Sequence, residues 1–242
     1  MRGTRSRRLL NCADSRCKSD IMPTAQLSFT VRLASSWDDL ARSAAVRAVS
    51  YGHHVAELRS ILAEPDDVDL EPGTVVFVCE DKASGRVVGT ARVQTSTTSS
   101  LLVEQSVSLP AEILDHARAE ITRLASVQGA DPLVKIALMK AGYLYCLANQ
   151  VRWLVIGARK EALIRQYVRL GFSDVFDDSR RVALAYAGGF PHRILQFDVT
   201  AAEREWFARK HPLYGFMKNT VHADIELFAR PRIARYGQAL AA

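Results

Sequence analysis

Short stretches that alternate apolar and polar residues are separated along this chain by longer segments with helical spacing. Leu27–Leu33 alternates with a period of two and predicts a first strand. Ser36 is placed to cap a helix from Trp37 to about Tyr51, with Asp38 and Asp39 at the positive end of its dipole. A short helix is expected around Val55–Leu62, followed by a polar turn through Asp66, Asp67 and Asp69 to Glu71-Pro72-Gly73. Thr74–Glu80 and Arg86–Thr95 read as strands joined by a hairpin turn over Asp81–Gly85. Residues 96–118 are rich in Ser and Thr and carry Pro110 and a short helical stretch. Glu120–Val127 is a further strand, and Asp131-Pro132 opens a long helix to about Asn149 with an apolar stripe through Val134, Leu138, Ala141, Tyr145 and Ala148. Val151–Ile156 reads as a central strand, and the helix Lys160–Leu170 stops at Gly171. Three more strands are expected at Arg181–Ala187, Ile194–Val199 and Asp224–Ala229. Thr200-Ala201-Ala202-Glu203 has the form of a capping box for a helix through Lys210.

The resulting order, β-α-α-β-β-β-α-β-α-β-β, is neither a nucleotide-binding βαβ repeat nor a helix bundle. Neither G-x-G-x-x-G nor G-x-x-x-x-G-K-[ST] occurs, so phosphate-cradling loops of those kinds are excluded. The six His form no H-E-x-x-H or H-x-x-x-H pair and the four Cys no C-x-x-C pair, so no metal site is expected. Cys12 and Cys17 stand near the start and Cys79 and Cys146 within apolar patterns, which fits a reducing cytoplasm. A chain 48% hydrophobic can bury a core. No run of apolar residues reaches the 18 or so of a spanning helix, and Leu9-Leu10 is too short for a secretory signal.

The net charge of +6 changes this picture little once it is located. Residues 1–21 hold six basic and two acidic residues, so most of the excess lies there and the rest is nearly neutral. Residues 1–26 are therefore expected to be a disordered basic tail, either a dispensable start with Met22 as the working initiator or a transit peptide. Residues 27–242 are expected to be one domain. A nucleic-acid-binding role through the tail has no aromatic–basic interleaving behind it, so no nucleic-acid partner is expected.

Val87-Val88-Gly89-Thr90-Ala91-Arg92 on the expected third strand, and Ala162-Leu163-Ile164-Arg165-Gln166-Tyr167-Val168-Arg169-Leu170-Gly171-Phe172, resemble the two signatures of the GNAT acyltransferase fold. That resemblance implies an α/β (α+β) fold class, with a mixed, mostly antiparallel sheet flanked by helices. Four further spacings are Arg47 with Tyr51, Asp66 with Asp69, Arg92 closing Gly-Thr-x-Arg, and Glu120 with Arg123. Together they resemble the acyl-homoserine-lactone (autoinducer) synthases and the FeeM-type long-chain N-acyl amino acid synthases, over about residues 28–230. The autoinducer synthases carry Phe where Tyr51 stands and a Trp a little further on, where this chain has His53-His54-Val55-Ala56; this favours the amino acid branch. The pyrophosphate loop of the fold is reduced to Gln128-Gly129-Ala130-Asp131, a poor diphosphate cradle.

The resemblance implies an acyltransferase without a tightly bound cofactor. Its donor would be the acyl-phosphopantetheine of acyl carrier protein (or acyl-CoA), and its acceptor the amine of an amino acid. Alternatives are an autoinducer synthase using S-adenosylmethionine, a generic GNAT acetyltransferase, and a catalytically dead GNAT scaffold. N-acylation needs a neutral amine, a polarised thioester carbonyl and a proton for the leaving thiolate. Glu120 is either the general base, acting directly or through a water, or the ion-pair partner of Arg123; His116 is a lesser alternative base. Backbone N–H groups of Leu124, Ala125 and Ser126, where the fold's strand usually bulges, would form the oxyanion site. Tyr167 either protonates the thiolate or packs against the sheet. Arg47, Asp66, Asp69, Arg92 and Arg123 would organise the acceptor site, with Asp66 or Asp69 for an ammonium and Arg47 or Arg92 for a carboxylate; the other reading is a solvated acidic turn beside surface arginines. Adjacent helical residues diverge, so His53-His54 reads as surface or cap. Trp206, Phe207, Leu213, Tyr214, Phe216 and Met217 either wall an acyl tunnel or pack the core. Arg152, Arg159, Lys160 and Arg165 are the candidate basic patch for an acidic carrier protein.

Overall fold

In a computed structural model of the protein, residues 23–227 are described. The tail expected at 1–26 lies outside them up to residue 22, as do residues 228–242 and so the end of the expected last strand. The chain runs β1 (Thr24–Ala25), β2 (Phe29–Leu33), α1 (Trp37–Gly52), α2 (Leu58–Ile61), β3 (Thr74–Asp81), β4 (Val87–Thr95), α3 (Ala111–Leu114) and β5 (Arg118–Ser126). It continues through α4 (Leu133–Ala148), β6 (Trp153–Ala158), α5 (Glu161–Leu170), β7 (Ser173–Asp174) and β8 (Arg181–Ala183). The last elements are β9 (Pro191–Asp198), α6 (Ala202–Ala208), β10 (Val221–His222) and β11 (Ile225–Glu226). The main sheet has the order β11-β2-β3-β4-β5-β6-β9-β7, with β8 on β9, and only the β11–β2 and β5–β6 pairs within it are parallel.

Local chemistry explains the helix ends. Ser36 Oγ accepts from Asp39 N at 3.1 Å, as its position before α1 predicts. Asp131 Oδ1 accepts from Leu133 N at 2.9 Å, so this residue serves the start of α4 although Pro132 takes the cap position. α5 stops at Gly171, which adopts φ +109, a conformation that costs a residue with a Cβ.

Two expected elements are corrected. The capping box before α6 does not form: Asp198 Oδ1 accepts from Thr200 N, Thr200 Oγ1 and Ala201 N, which occupies the Thr200 hydroxyl, and the helix ends at Ala208. The strand expected at Arg181–Ala187 stops at Ala183. Ala185–Ala187 instead forms a 3-10 turn, closed by Gly188 and Gly189 at φ +69 and +71, backbone that a strand cannot use.

The sheet separates two cores. On one face α4 and α5 cover a large apolar cluster in which Phe77, Ile121, Leu138, Leu154 and Leu195 are buried. Trp206 belongs to it, donating to Leu170 O at 2.8 Å and packing against Tyr143 and Phe197, so the C-terminal aromatic segment supplies core at this residue. A smaller cluster holds Leu101, Val103, Ile113, Val155 and Leu184. Where α1 lies over β4 and β5, apolar residues of α1 such as Leu40 and Ala44 are buried together with polar ones: Arg47, Thr90, Arg92, Gln94, Glu120 and Thr122.

Candidate active site

Strands β5 and β6 pair in parallel over Arg118–Ile121 and Trp153–Ile156, then part. A cleft of about 840 Å³ opens there, lined by Thr122–Ala125 of β5 and by Ile156 and Gly157 of β6. Much of its lining is apolar: Val55, Leu58, Ile61 and Leu62 from the segment around α2, Ile136 and Met139 from α4, and Leu163 and Leu170 from α5. Lys135, Arg159, Lys160 and Arg169 give it a basic border. His54, also in the lining, is held below its ordinary pKa by burial and by Lys160.

Next to the opening β5 bulges. Arg92 pairs with Thr122, but Thr90 pairs with Ala125 and Gly89 with Ser126, so Arg123 and Leu124 together face Ala91. Arg123 adopts φ +57, left-handed backbone that costs a non-glycine residue on the order of 1–3 kcal/mol. The bulge expected over Leu124–Ser126 thus begins one residue earlier, at Arg123, and two contacts hold it: Arg123 Nη2 to Asp66 Oδ2 at 3.3 Å, and Tyr51 Oη donating to Leu124 O at 3.2 Å. Leu124 and Ala125 line the cleft; Ser126 is not among the lining residues.

The five charged residues singled out in the sequence form one chain of contacts. Arg47 Nη1 donates to Asp69 Oδ2 at 2.7 Å with both side chains buried. Arg92, fully buried, donates from Nη1 to Asp66 Oδ1 and to Asp69 Oδ1, the latter at 3.3 Å, and from Nε to Thr122 Oγ1 at 2.9 Å. Asp66 and Asp69 also cap each other across a 3-10 turn at Asp67–Leu70. Burial works to raise the Asp66 carboxyl, but Arg92 and Arg123 outweigh it and hold it below its ordinary value. The reading as surface arginines is therefore overturned, because Arg47, Arg92 and Asp69 are buried and Arg123 nearly so; of the acidic turn, Asp66 stays partly solvated. Within this cluster only Arg123 lines the cleft among the described residues.

Glu120 does not pair with Arg123. It is fully buried: Oε2 accepts from Val103 N at 2.9 Å and Oε1 from Tyr186 Oη at 2.6 Å. Burial pushes its carboxyl up to about 7 against the pull of these two donors. Tyr186 lines the cleft and Glu120 does not. Sequence reasoning missed Tyr186 because it fell inside an expected strand, and the Gly188-Gly189 pair after it was the available signal for a turn. Tyr167, on α5, lines the cleft and packs against Phe172, and burial raises its hydroxyl above the ordinary tyrosine value. His116 is elsewhere, with its ring bonded to Glu112 O and Arg152. Arg152 precedes β6 whereas Arg159 and Lys160 follow it, so a strand of roughly 20 Å separates them. Arg152 therefore leaves the expected basic patch, and Arg165 is not among the lining residues.

The mixed, mostly antiparallel sheet with helices is the GNAT-like fold, and, with the family match that follows, this protein is an acyltransferase of that class. Its family is narrower. The model of the N-acyl amino acid synthase FeeM family matches residues 45–187, more than half of the sequence, and the chain belongs to that family. The solved structure of FeeM, an N-acyl amino acid synthase from uncultured soil microbes, superposes with a TM-score of 0.58 at 14% identity, covering 78% of this chain and 98% of that one. BjaI, a CoA-dependent acyl-homoserine lactone synthase, superposes at 17% identity over 80% of this chain and 93% of that one. Its TM-score is 0.52 in the structure with MTA and 0.50 in the structure with SAM and isopentyl-CoA. No curated protein sequence matches the chain. Among the described residues no helix is long and apolar enough to cross a membrane, and no three His, Cys, Asp or Glu are grouped to hold a metal ion.

Proposed function

We propose that the protein transfers a long-chain fatty acyl group from the phosphopantetheine thioester of acyl carrier protein to the amine of an amino acid, releasing the thiol and leaving an N-acyl amino acid. The observation that carries this reading is a largely apolar cleft whose lining also includes β5 and β6 residues where their pairing ends. An acyl chain would pack against lining residues such as Leu58, Leu62, Met139 and Leu163, with its thioester carbonyl at the bulge. There the backbone N–H groups of Leu124 and Ala125, with Ser126 next in line, are the donors for the oxyanion. Tyr167 gives the departing thiolate its proton, and Glu120 is the base for the acceptor amine. Arg123 meets the acceptor carboxylate, while Arg47, Asp66, Asp69 and Arg92 hold it in place from behind.

The basic border at Lys135, Arg159 and Lys160 suits an acidic carrier protein. A carrier-protein donor, with free buried thiols at Cys79 and Cys146, fits a cytoplasmic setting. Coenzyme A thioester is the second donor, since the same cations would meet its phosphates and BjaI is described as CoA-dependent. Production in a bacterial host followed by mass spectrometry of culture extracts tests the reaction: lipid-soluble N-acyl amino acids are expected, and extracts indistinguishable from an empty vector overturn it. Purified protein offered acyl carrier protein and coenzyme A thioesters at equal concentration then decides the donor.

A further inference from the structure

Glu120 and the cleft are separated by one side chain. Tyr186 lines the cleft and donates its hydroxyl to Glu120 Oε1 at 2.6 Å, while Val103 N occupies Oε2. Each carboxylate oxygen is thus held by a neutral donor, and the apolar residues Leu101, Val103, Val155 and Leu184 pack on this side of the sheet. Charged groups act on the pair from several elements. Arg92 on β4 favours the carboxylate and Glu104 opposes it, while Arg123 on β5 favours ionisation of Tyr186 and Tyr51 on α1 opposes it.

The turn that carries Tyr186 is built to hold it there. Leu184 is fully buried, Ala185 N donates to Ser106 Oγ at 2.9 Å, and Gly188 and Gly189 close the turn in left-handed backbone. Gly157 of β6 leaves room beneath it: a Cβ there would stand 2.8 Å from Leu184 Cδ1 and 3.4 Å from Tyr186 Oη.

We propose that Tyr186 is a catalytic residue, the proton-carrying contact between the acceptor amine in the cleft and the buried Glu120. The inference rests on the N-acylation reading above. The amine nitrogen forms its bond to the thioester carbonyl carbon and the C–S bond breaks. The amine proton passes to Tyr186 Oη as the Tyr186 proton passes to Glu120 Oε1. The thiolate takes a proton from Tyr167, which solvent reprotonates, or from solvent directly; Glu120 returns its proton through Tyr186 Oη to solvent in the emptied cleft, and the pair is reset. A buried base reached only through a hydroxyl is shielded from water yet still answers to the group in the cleft.

Steady-state kinetics of the full chain with Y186F, E120Q and the double variant test this, with circular dichroism to confirm folding. Y186F and E120Q should each lower kcat by about 10²-fold or more with KM for the acceptor nearly unchanged, and the double variant should be no slower than the slower single one. The limb of kcat/KM near pH 7 should vanish in both. Replacing Tyr186 with a fluorinated tyrosine, which keeps the ring and lowers the hydroxyl pKa, should move that limb. Y186F within about threefold of wild type in kcat, or a loss confined to KM, overturns the inference and leaves Tyr186 as a cap on a buried carboxyl. A wild type that transfers no acyl group overturns the N-acylation reading and the inference with it, which separates the two failures.

Discussion

Two buried polar groupings lie on one face of the same two strands, and they are built on opposite principles. In the first, Arg47, Asp69, Arg92, Asp66 and Arg123 alternate in sign, so each carboxylate has an arginine and no carboxylate is left charged alone. In the second, Glu120 has only neutral donors, and burial lifts its carboxyl to about 7. Arg92 and Arg123 hold the Asp66 carboxyl below its ordinary value, and the Arg123–Asp66 contact supports the bulge. Uncompensated charge is poised to gain or lose a proton near neutral pH, which suits it to chemistry.

The strongest way to break the contrast is to decompensate the first grouping. Asp69→Ala leaves Arg47 without its carboxylate and is expected to destabilise the protein by about 3–5 kcal/mol in chemical denaturation. Glu120→Gln should do the reverse, abolishing transfer by roughly 10²–10⁴-fold in a thiol-release assay while the protein stays folded.

A pH series sharpens the difference. The folded pKa of Glu120 lies above its ordinary 4.5, so its contribution to stability is complete below pH 4.5 and is lost as pH rises through about 7. Denaturation at pH 5 and pH 8 should show wild type losing on the order of 3 kcal/mol relative to Glu120→Gln across this window. Asp66 has the opposite sign: its lowered carboxyl supports the fold above its ordinary pKa and is lost as pH falls below it. The smallest effect lies outside both groupings, where Ser36→Ala should cost about 1 kcal/mol through the lost cap of α1 and leave kcat unchanged.

The elements that position the site were largely legible. Helix α1, the β3–β4 hairpin, β5, α4 and α5 follow from periodicity and from caps at Ser36, Asp131 and Gly171, because those signals act within a few residues. The charged residues of the first grouping were visible as spacings, but whether they were solvated or buried was not, since burial depends on α1 closing over β4 and β5 from elsewhere in the chain. Tyr186 was hidden for a different reason. Val182, Leu184 and Tyr186 alternate as a strand would, and the two glycines that end that pattern follow it.

By itself the sequence determined which residues carry charge, the bounds of α1, α4 and α5, and that a carboxylate sits on β5 three residues before an arginine. Only the tertiary structure decided that Glu120 takes Tyr186 and not Arg123 as its partner. Successive strand side chains point to opposite faces, and the bulge at Arg123–Leu124 changes that alternation. It sends the guanidinium to Asp66, while residues 66 positions further along the chain bring a tyrosine hydroxyl to the carboxylate left behind.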